Sequence, residues 1–77
     1  MSPAQLRSLV GLVLVMRFPA GDGPAWRVLG YGGTDIRLKS LHTGRVHSAP
    51  IADVAAMLAS GAVYRRPWVE RRRETLT

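Results

Sequence analysis

The sequence contains no cysteine, only one lysine, and five acidic residues against eleven basic ones. The lack of cysteine excludes a disulfide framework and a thiolate metal site, and it favours an intracellular setting. A chain of 77 residues is near the lower size limit for a stable fold. Its stability must therefore come from an apolar core or from self-association.

The chain is long enough for one domain, and its 47% apolar content argues against global disorder. The longest apolar run, residues 9 to 18, is far shorter than the roughly 20 residues of a membrane-spanning helix. A signal peptide is the competing interpretation, with residues 9 to 16 as its hydrophobic stretch. Arg17 follows that stretch directly, where a signal peptide should have small residues before the cleavage site. We therefore expect a buried first strand and a cytoplasmic protein.

Local signals predict the order of the remaining elements. Ser2, Pro3 and Gln5 are arranged as N-cap, first helical position and capping-box partner, so we expect one helical turn over residues 3 to 8. Two prolines and two glycines predict a loop over residues 19 to 24, with Asp22 as a turn residue. Three strands of a meander follow, at residues 26 to 31, 36 to 41 and 45 to 49.

A short helix and a last strand complete the predicted fold. Pro50 fits a first helical position, apolar residues then recur at the spacing of one helical face, and Gly61 can end the helix. We expect this helix near residues 51 to 60 and a strand over residues 62 to 65.

This element order resembles that of SH3-like and Sm-like small β-barrels, and the resemblance covers residues 9 to 66. It implies a mostly β fold, a five-stranded barrel with a helix before the last strand. We therefore expect one barrel domain over residues 1 to 66 and a basic tail over residues 67 to 77. Residues 36 to 54 are similar to the bacterial Sm-like RNA chaperones, but the RNA-contact motif of those proteins is missing.

Turn lengths predict which side chains share a face of the sheet. A two-residue turn at Thr43 and Gly44 would place Leu38 across from Ala49, and a three-residue turn at residues 32 to 34 would place Val28 across from Leu38. One face then forms the core. The other collects Arg27, Leu29, Tyr31, Arg37, Lys39 and Leu41.

The second face is a candidate nucleic-acid site, for DNA or RNA. Arg27 would lie directly across from Lys39, and like charges in that position are destabilising unless a polyanion relieves them. Tyr31 and Arg37 would stack on unpaired bases. In the alternative interpretation, these cations only solubilise the open face of the sheet, and their aliphatic stems cover its leucines.

The end of the chain adds a second basic segment. It fits a flexible arm that lies along phosphates and stacks Trp68 on a base. The alternative is a solvated tail, with Trp68 folded back over the barrel. The candidate residues here are Arg65, Arg66, Trp68, Arg71, Arg72 and Arg73.

The sequence shows no catalytic, metal or cofactor signature. His42 and His47 are expected on one face, but two imidazoles without cysteine or a convergent carboxylate make a poor metal site. Asp53 suits the first turn of a helix and has no partner carboxylate for acid–base chemistry. We expect no enzyme activity, no metal and no cofactor.

Two functions remain. The first is a small basic accessory or regulatory protein that binds nucleic acid through the predicted basic face and the tail. The second is a protein-interaction module, such as a phage, plasmid or host adaptor. Its surface would be the first strand, which is apolar on both faces, together with Trp68. That strand also predicts a homo-oligomer, since one core cannot easily bury both faces.

Overall fold

The computed structural model describes residues 1 to 68, and the tail predictions for Arg71, Arg72 and Arg73 lie outside this range. The fold is mostly β, with five antiparallel strands in one sheet and two short helices. The elements are α1 (Pro3–Leu9), β1 (Val13–Phe18), β2 (Gly21–Gly32), β3 (Asp35–Ser40), β4 (Val46–Pro50), α2 (Ile51–Ser60) and β5 (Val63–Arg66).

The strand order is β4-β3-β2-β1-β5. Among the described residues β4 and β5 are the two edge strands and do not pair with each other, so the sheet is open. The predicted mostly β fold and the helix before the last strand are confirmed. Closure into a barrel is not observed. No helix within residues 1 to 68 is both long and apolar enough to cross a membrane.

The two helices begin and end close to where the sequence predicts. Ser2 Oγ accepts a hydrogen bond from the Gln5 backbone N–H, and Gln5 Oε1 accepts one from the Ser2 backbone N–H, which completes the capping box of α1. Gly61 ends α2 in the left-handed conformation with φ 83°. Pro50 precedes α2 as its N-cap rather than occupying its first position.

The apolar run of residues 9 to 18 is divided between a helix and a strand. Leu9 is the last residue of α1 and is buried together with Leu6, and β1 begins only at Val13. Gly11, with φ 87°, lies in the connection. A continuous apolar run does not by itself distinguish a buried helix end from a buried strand, so the predicted start of the first strand was wrong.

The predicted loop over residues 19 to 24 is mostly strand, because β2 begins at Gly21 directly across from Phe18. A Cβ at Gly23 would lie 2.7 Å from the Phe18 ring, so the glycine lets the ring pack closely against β2 and does not mark a turn. Pro24 lies where the pairing of β1 with β2 shifts register and before β2 meets β3. Proline is tolerated there because no regular ladder bond is lost.

The hairpin of β2 and β3 contains two irregularities that compensate each other. The turn has two residues, Gly33 and Thr34, instead of the predicted three, and the extra residue is accommodated as a β-bulge at Leu29. Beyond the bulge the predicted register is confirmed. The observed pairs there are Trp26 with Ser40, Arg27 with Lys39 and Val28 with Leu38.

The turn between β3 and β4 is longer than predicted. Ser40 Oγ accepts hydrogen bonds from the backbone N–H groups of His42 and Thr43, and the Ser40 N–H donates to the Arg45 carbonyl. Leu38 therefore pairs with His47 rather than with Ala49. The shift is an even number of residues, so each side chain keeps its predicted face.

The core lies between the inner face of the sheet and the two helices. The inner face is the face that carries Leu14, Val28 and Leu38. The buried apolar cluster consists of Leu6, Leu9, Leu14, Val28, Ile36, Leu38, Val54 and Val63. Six partly buried apolar residues and Ala49 pack against this cluster, among them Trp26, Met57 and Leu58.

Strand β1 lies in the interior of the sheet, and its first three residues are covered on both faces within one chain. Leu14 belongs to the core cluster, while Val13 and Val15, on the other face, are each only 1% exposed. The strand lies between β2 and β5, so it offers no free edge. The burial of Val13, Leu14 and Val15 is thus explained without a second copy of the chain. Phe18 at the end of β1 is 50% exposed, and the homo-oligomer stays a prediction.

The bulge at Leu29 allows a test of the sheet register. Deleting Leu29, an exposed residue, should leave every β2–β3 pair in place and change the free energy of unfolding by no more than about 1 kcal/mol. Deleting the equally exposed Arg37 is the matched control. It should destabilise far more, because Ile36 would leave the core. Urea denaturation measures both, and equal losses would mean that the sheet requires the bulge.

Candidate nucleic-acid interface

Three cations lie in one line across the outer face of the sheet, the face opposite the core. Val13 of β1 is paired with Arg66 of β5 on one side and with Arg27 of β2 on the other, and Arg27 is paired with Lys39 of β3. Strands are spaced about 4.8 Å apart, so the backbones of Arg66 and Lys39 are roughly 14 Å apart. We call Arg66, Arg27 and Lys39 the basic row.

Arg37 extends the positive charge beyond the basic row. It lies two residues before Lys39 on β3, so its side chain shares the outer face. Its partners across the ladder are Gly30 on β2 and Ser48 on β4, neither of which carries charge. Arg37 and Lys39 are both exposed. The strand pairing therefore places Arg27, Arg37 and Lys39 on one face, as the sequence predicts.

Trp68 is folded back onto the outer face. The Arg27 guanidinium carbon lies over the Trp68 ring, 5.0 Å from its centroid, a cation–π contact worth about 0.5–2 kcal/mol. The Trp68 side chain keeps 38% of its surface exposed. Arg27 is half-buried, and its Nε has no hydrogen-bond partner among the described residues.

Asp22 neutralises one end of the basic row. Its Oδ2 accepts a 2.8 Å hydrogen bond from the Tyr64 hydroxyl and lies 3.6 Å from Arg66 Nη1. The Arg17 guanidinium carbon is 4.7 Å from the centroid of the Tyr64 ring. This cluster ties β5 to the hairpin of β1 and β2. Asp22 is the charged residue whose role the sequence did not reveal, because its partner Tyr64 is 42 residues away.

The pKa of Tyr64 is raised above its ordinary value. The hydrogen bond to Asp22 is the largest cause, followed by partial burial and by the charge of the Asp22 carboxylate, while Arg66 and Arg17 act in the opposite direction. The carboxylate of Asp22 is thus engaged by Tyr64 and Arg66. Within residues 1 to 68 no carboxylate forms an ion pair with Arg27, Arg37 or Lys39.

Two predicted site residues lie away from this face. The bulge at Leu29 turns Tyr31 to the inner side of the sheet, where it pairs with Ile36, so the predicted placement of Tyr31 beside Arg37 was wrong. Arg65 alternates with Arg66 along β5 and lines a groove between α1 and α2 with Gln5 and Leu58. The structure therefore separates Tyr31 and Arg65 from the basic row.

The two histidines line one surface groove, on a different part of the molecule from the groove of Arg65, and the described residues do not make it a metal site. His47 pairs with Leu38 on the inner face, and His42 lies in the turn before β4. Both line a surface groove with Trp26 and Ser40. In the part of the chain that the structure describes, no three histidine, aspartate or glutamate side chains come together in a way that could hold a metal ion.

Comparisons with models of known families, with curated proteins and with solved structures find no match to this chain. The resemblance to SH3-like and Sm-like barrels therefore stays a prediction from the order of the elements. Any function has to be argued from the side chains of this protein, their neighbours and their charges.

The Tyr64–Asp22 contact predicts a measurable titration. In a Tyr31→Phe background Tyr64 is the only tyrosine, and its pKa should lie above 10.0. Asp22→Asn should lower it, because the neutral amide is a weaker hydrogen-bond acceptor than the carboxylate and no longer repels the phenolate. Absorbance of the phenolate during an alkaline titration measures this. Asp35→Asn is the control and should leave the titration unchanged.

The sign of the linked effect on stability follows from the same contact. Folding raises the pKa of Tyr64, so the contact stabilises the folded chain fully below the pKa of an unfolded tyrosine. The contribution is lost as the pH rises through the higher, folded value. A Tyr64 pKa that is unaffected by Asp22→Asn would contradict the assigned cause.

Proposed function

We propose that this protein binds nucleic acid through the outer face of its sheet and acts as a small accessory or regulatory factor in the cytoplasm. The observation that carries the proposal is the pairing of Arg27 with Lys39, directly across two strands, without an acidic partner in the described part of the chain. Like charges in that position oppose folding, and the phosphates of a nucleic acid would neutralise them.

The arrangement of the cations supports contact with the phosphate backbone rather than with base edges. The basic row and Arg37 lie on the broad outer face of a sheet, while both helices pack against the inner face, so neither helix is placed to enter a groove from the basic side. Contacts of this kind are electrostatic, independent of sequence and sensitive to salt. We therefore propose a binder with little base preference.

The proposed ligand is single-stranded rather than double-stranded nucleic acid. Trp68 presents a partly exposed ring beside the basic row, and aromatic rings and arginine planes stack on unpaired bases. Arg37 supplies a second stacking plane. Tyr31 is not included in the proposed interface, because it lies on the other side of the sheet.

The alternative function, a protein-interaction module, has less support. Its proposed surface was the apolar first strand, and Val13, Leu14 and Val15 are at most 3% exposed. Surfaces still exposed to such a partner among residues 1 to 68 include Phe18, part of Trp68 and the outer edges of β4 and β5. Nucleic acid is therefore the first partner to test.

Placement of charge, rather than its total, is the property to vary. Lys39→Gln should lower the slope of log affinity against log salt by about one for a single-stranded oligonucleotide, because one phosphate contact is lost. Arg7→Gln on α1 removes the same amount of charge away from the outer face and should leave the slope unchanged. Fluorescence anisotropy at several salt concentrations measures both variants.

Two results would end the proposal. The first is the absence of any binding by the full chain at about 50 mM salt, where electrostatic contacts are strongest. The second is an equal effect of Lys39→Gln and Arg7→Gln, since that would mean that net charge acts without the outer face.

A shortened chain tests the contribution of the last residues separately. Removing residues 69 to 77 deletes Arg71, Arg72 and Arg73 but keeps Trp68 on Arg27. If the three arginines contact phosphates, the salt slope should fall by up to about three, with the melting temperature unchanged. An unchanged slope would restrict the interface to the sheet.

A further inference from the structure

The inner face of the sheet is filled at one end and hollow at the other. Leu6 and Leu9 of α1 belong to one buried cluster with Val28 and Ile36 at the filled end. At the other end lies a cavity of about 320 Å³, and none of Leu6, Leu9, Val28 and Ile36 lines it. Small-molecule sites range upward from roughly 300 Å³, so this volume suffices for a ligand of about ten heavy atoms.

The cavity wall is almost entirely apolar. Side chains from all five strands and α2 contribute. The imidazole of His47 and the indole of Trp26 supply the ring nitrogens that can form hydrogen bonds. Met16 and Met57 add two thioether groups. Indole, imidazole and thioether groups make favourable contacts with the faces and edges of aromatic rings. The wall is therefore suited to a flat ring.

The mouth of the cavity is defined by two of its wall residues. Trp26 and His47 also line the adjoining surface groove, which includes Ser40, His42 and Thr43. They therefore stand between the apolar interior and a polar surface. A ligand with an apolar ring and one polar group could bury the ring and leave the polar group at this mouth, where it would remain hydrated or meet His47.

The same wall excludes other classes of ligand. A charged group inside the cavity would lose its hydration without an opposite charge to replace it, since none of the described residues of the wall is acidic or an arginine. A nucleobase carries several polar groups on its edges, and most of these would be left without partners. The cavity is thus distinct in chemistry from the basic row on the outer face.

We propose that this cavity binds a small, uncharged aromatic compound, with its ring between Trp26, Met16 and Met57 and its polar group directed to the mouth at His47. The site is independent of nucleic-acid binding, because its wall belongs to the inner face. The ring would complete the packing at the hollow end of the core.

Indole is a suitable probe, because it is uncharged and has about the right size, and uracil is a comparison ring with several polar groups on its edges. Isothermal titration calorimetry of the full chain should give a dissociation constant of about 0.1–1 mM for indole, as expected of so small a ligand. Uracil should bind at least about tenfold more weakly, because most of its polar groups would lose their hydration without partners. Backbone amide shifts in NMR spectra should change at Trp26 and Ala49 and not at Lys39.

Filling the cavity provides the matched variant. Ala49→Leu places a larger side chain in the wall and should weaken indole binding by at least about tenfold, while Ala56→Leu, on the exposed side of α2, should not change it. If Ala49→Leu does not fold, Met16→Phe takes its place, because it fills the same space from β1.

The result that would overturn the proposal is the absence of saturable indole binding, together with a higher melting temperature in a cavity-filling variant. The cavity would then be ordinary packing space. Equal binding of indole and uracil would overturn the assigned ligand class. Loss of indole binding in Lys39→Gln would overturn the independence of the two faces.

Discussion

The pairing of Val28 with Leu38 is the constraint on which the rest of this structure depends. Both side chains belong to the buried cluster, and alternation then forces their neighbours Arg27 and Lys39 to face each other on the outer side. The repulsion between the two cations is worth about 0.2–1 kcal/mol. A slip of β3 by one residue would bury Lys39 and expose Leu38, which costs far more. Burial therefore decides the register, and the basic row is its consequence.

The outer face is stabilised by contacts that a simple solvated sheet would lack. Val13 and Val15 are almost fully buried there, although no helix packs on this side among residues 1 to 68. Their ladder partners include Arg27, Arg66 and Tyr64, which are held by Trp68 and Asp22. Long polar side chains cover the apolar strand with their aliphatic and aromatic parts. The same residues thus complete the fold and present positive charge.

The sequence predicted the features that depend on residues close together in the chain. It did not predict the features that depend on a residue distant in the chain. The capping box at Ser2, the end of α2 at Gly61 and the alternation of β3 were predicted because each depends on neighbours in the chain. The strand from Gly21 was missed because Gly23 packs against the Phe18 ring across the hairpin instead of forming a turn. The position of Tyr31 was missed because a short turn and a bulge shift the register by opposite amounts. Neither irregularity has a residue type that identifies it.

The two tryptophans illustrate how one sheet separates two kinds of chemistry. Trp68 meets a guanidinium on the outer face, where charge and water dominate, whereas Trp26 lines an apolar cavity on the inner face. The central strands carry both faces at once, since Trp26 and Arg27 are adjacent in the chain and point in opposite directions. A ligand in the cavity and a polyanion on the outer face would therefore contact different side chains of the same strand. They would influence each other only through the register that Val28 and Leu38 maintain.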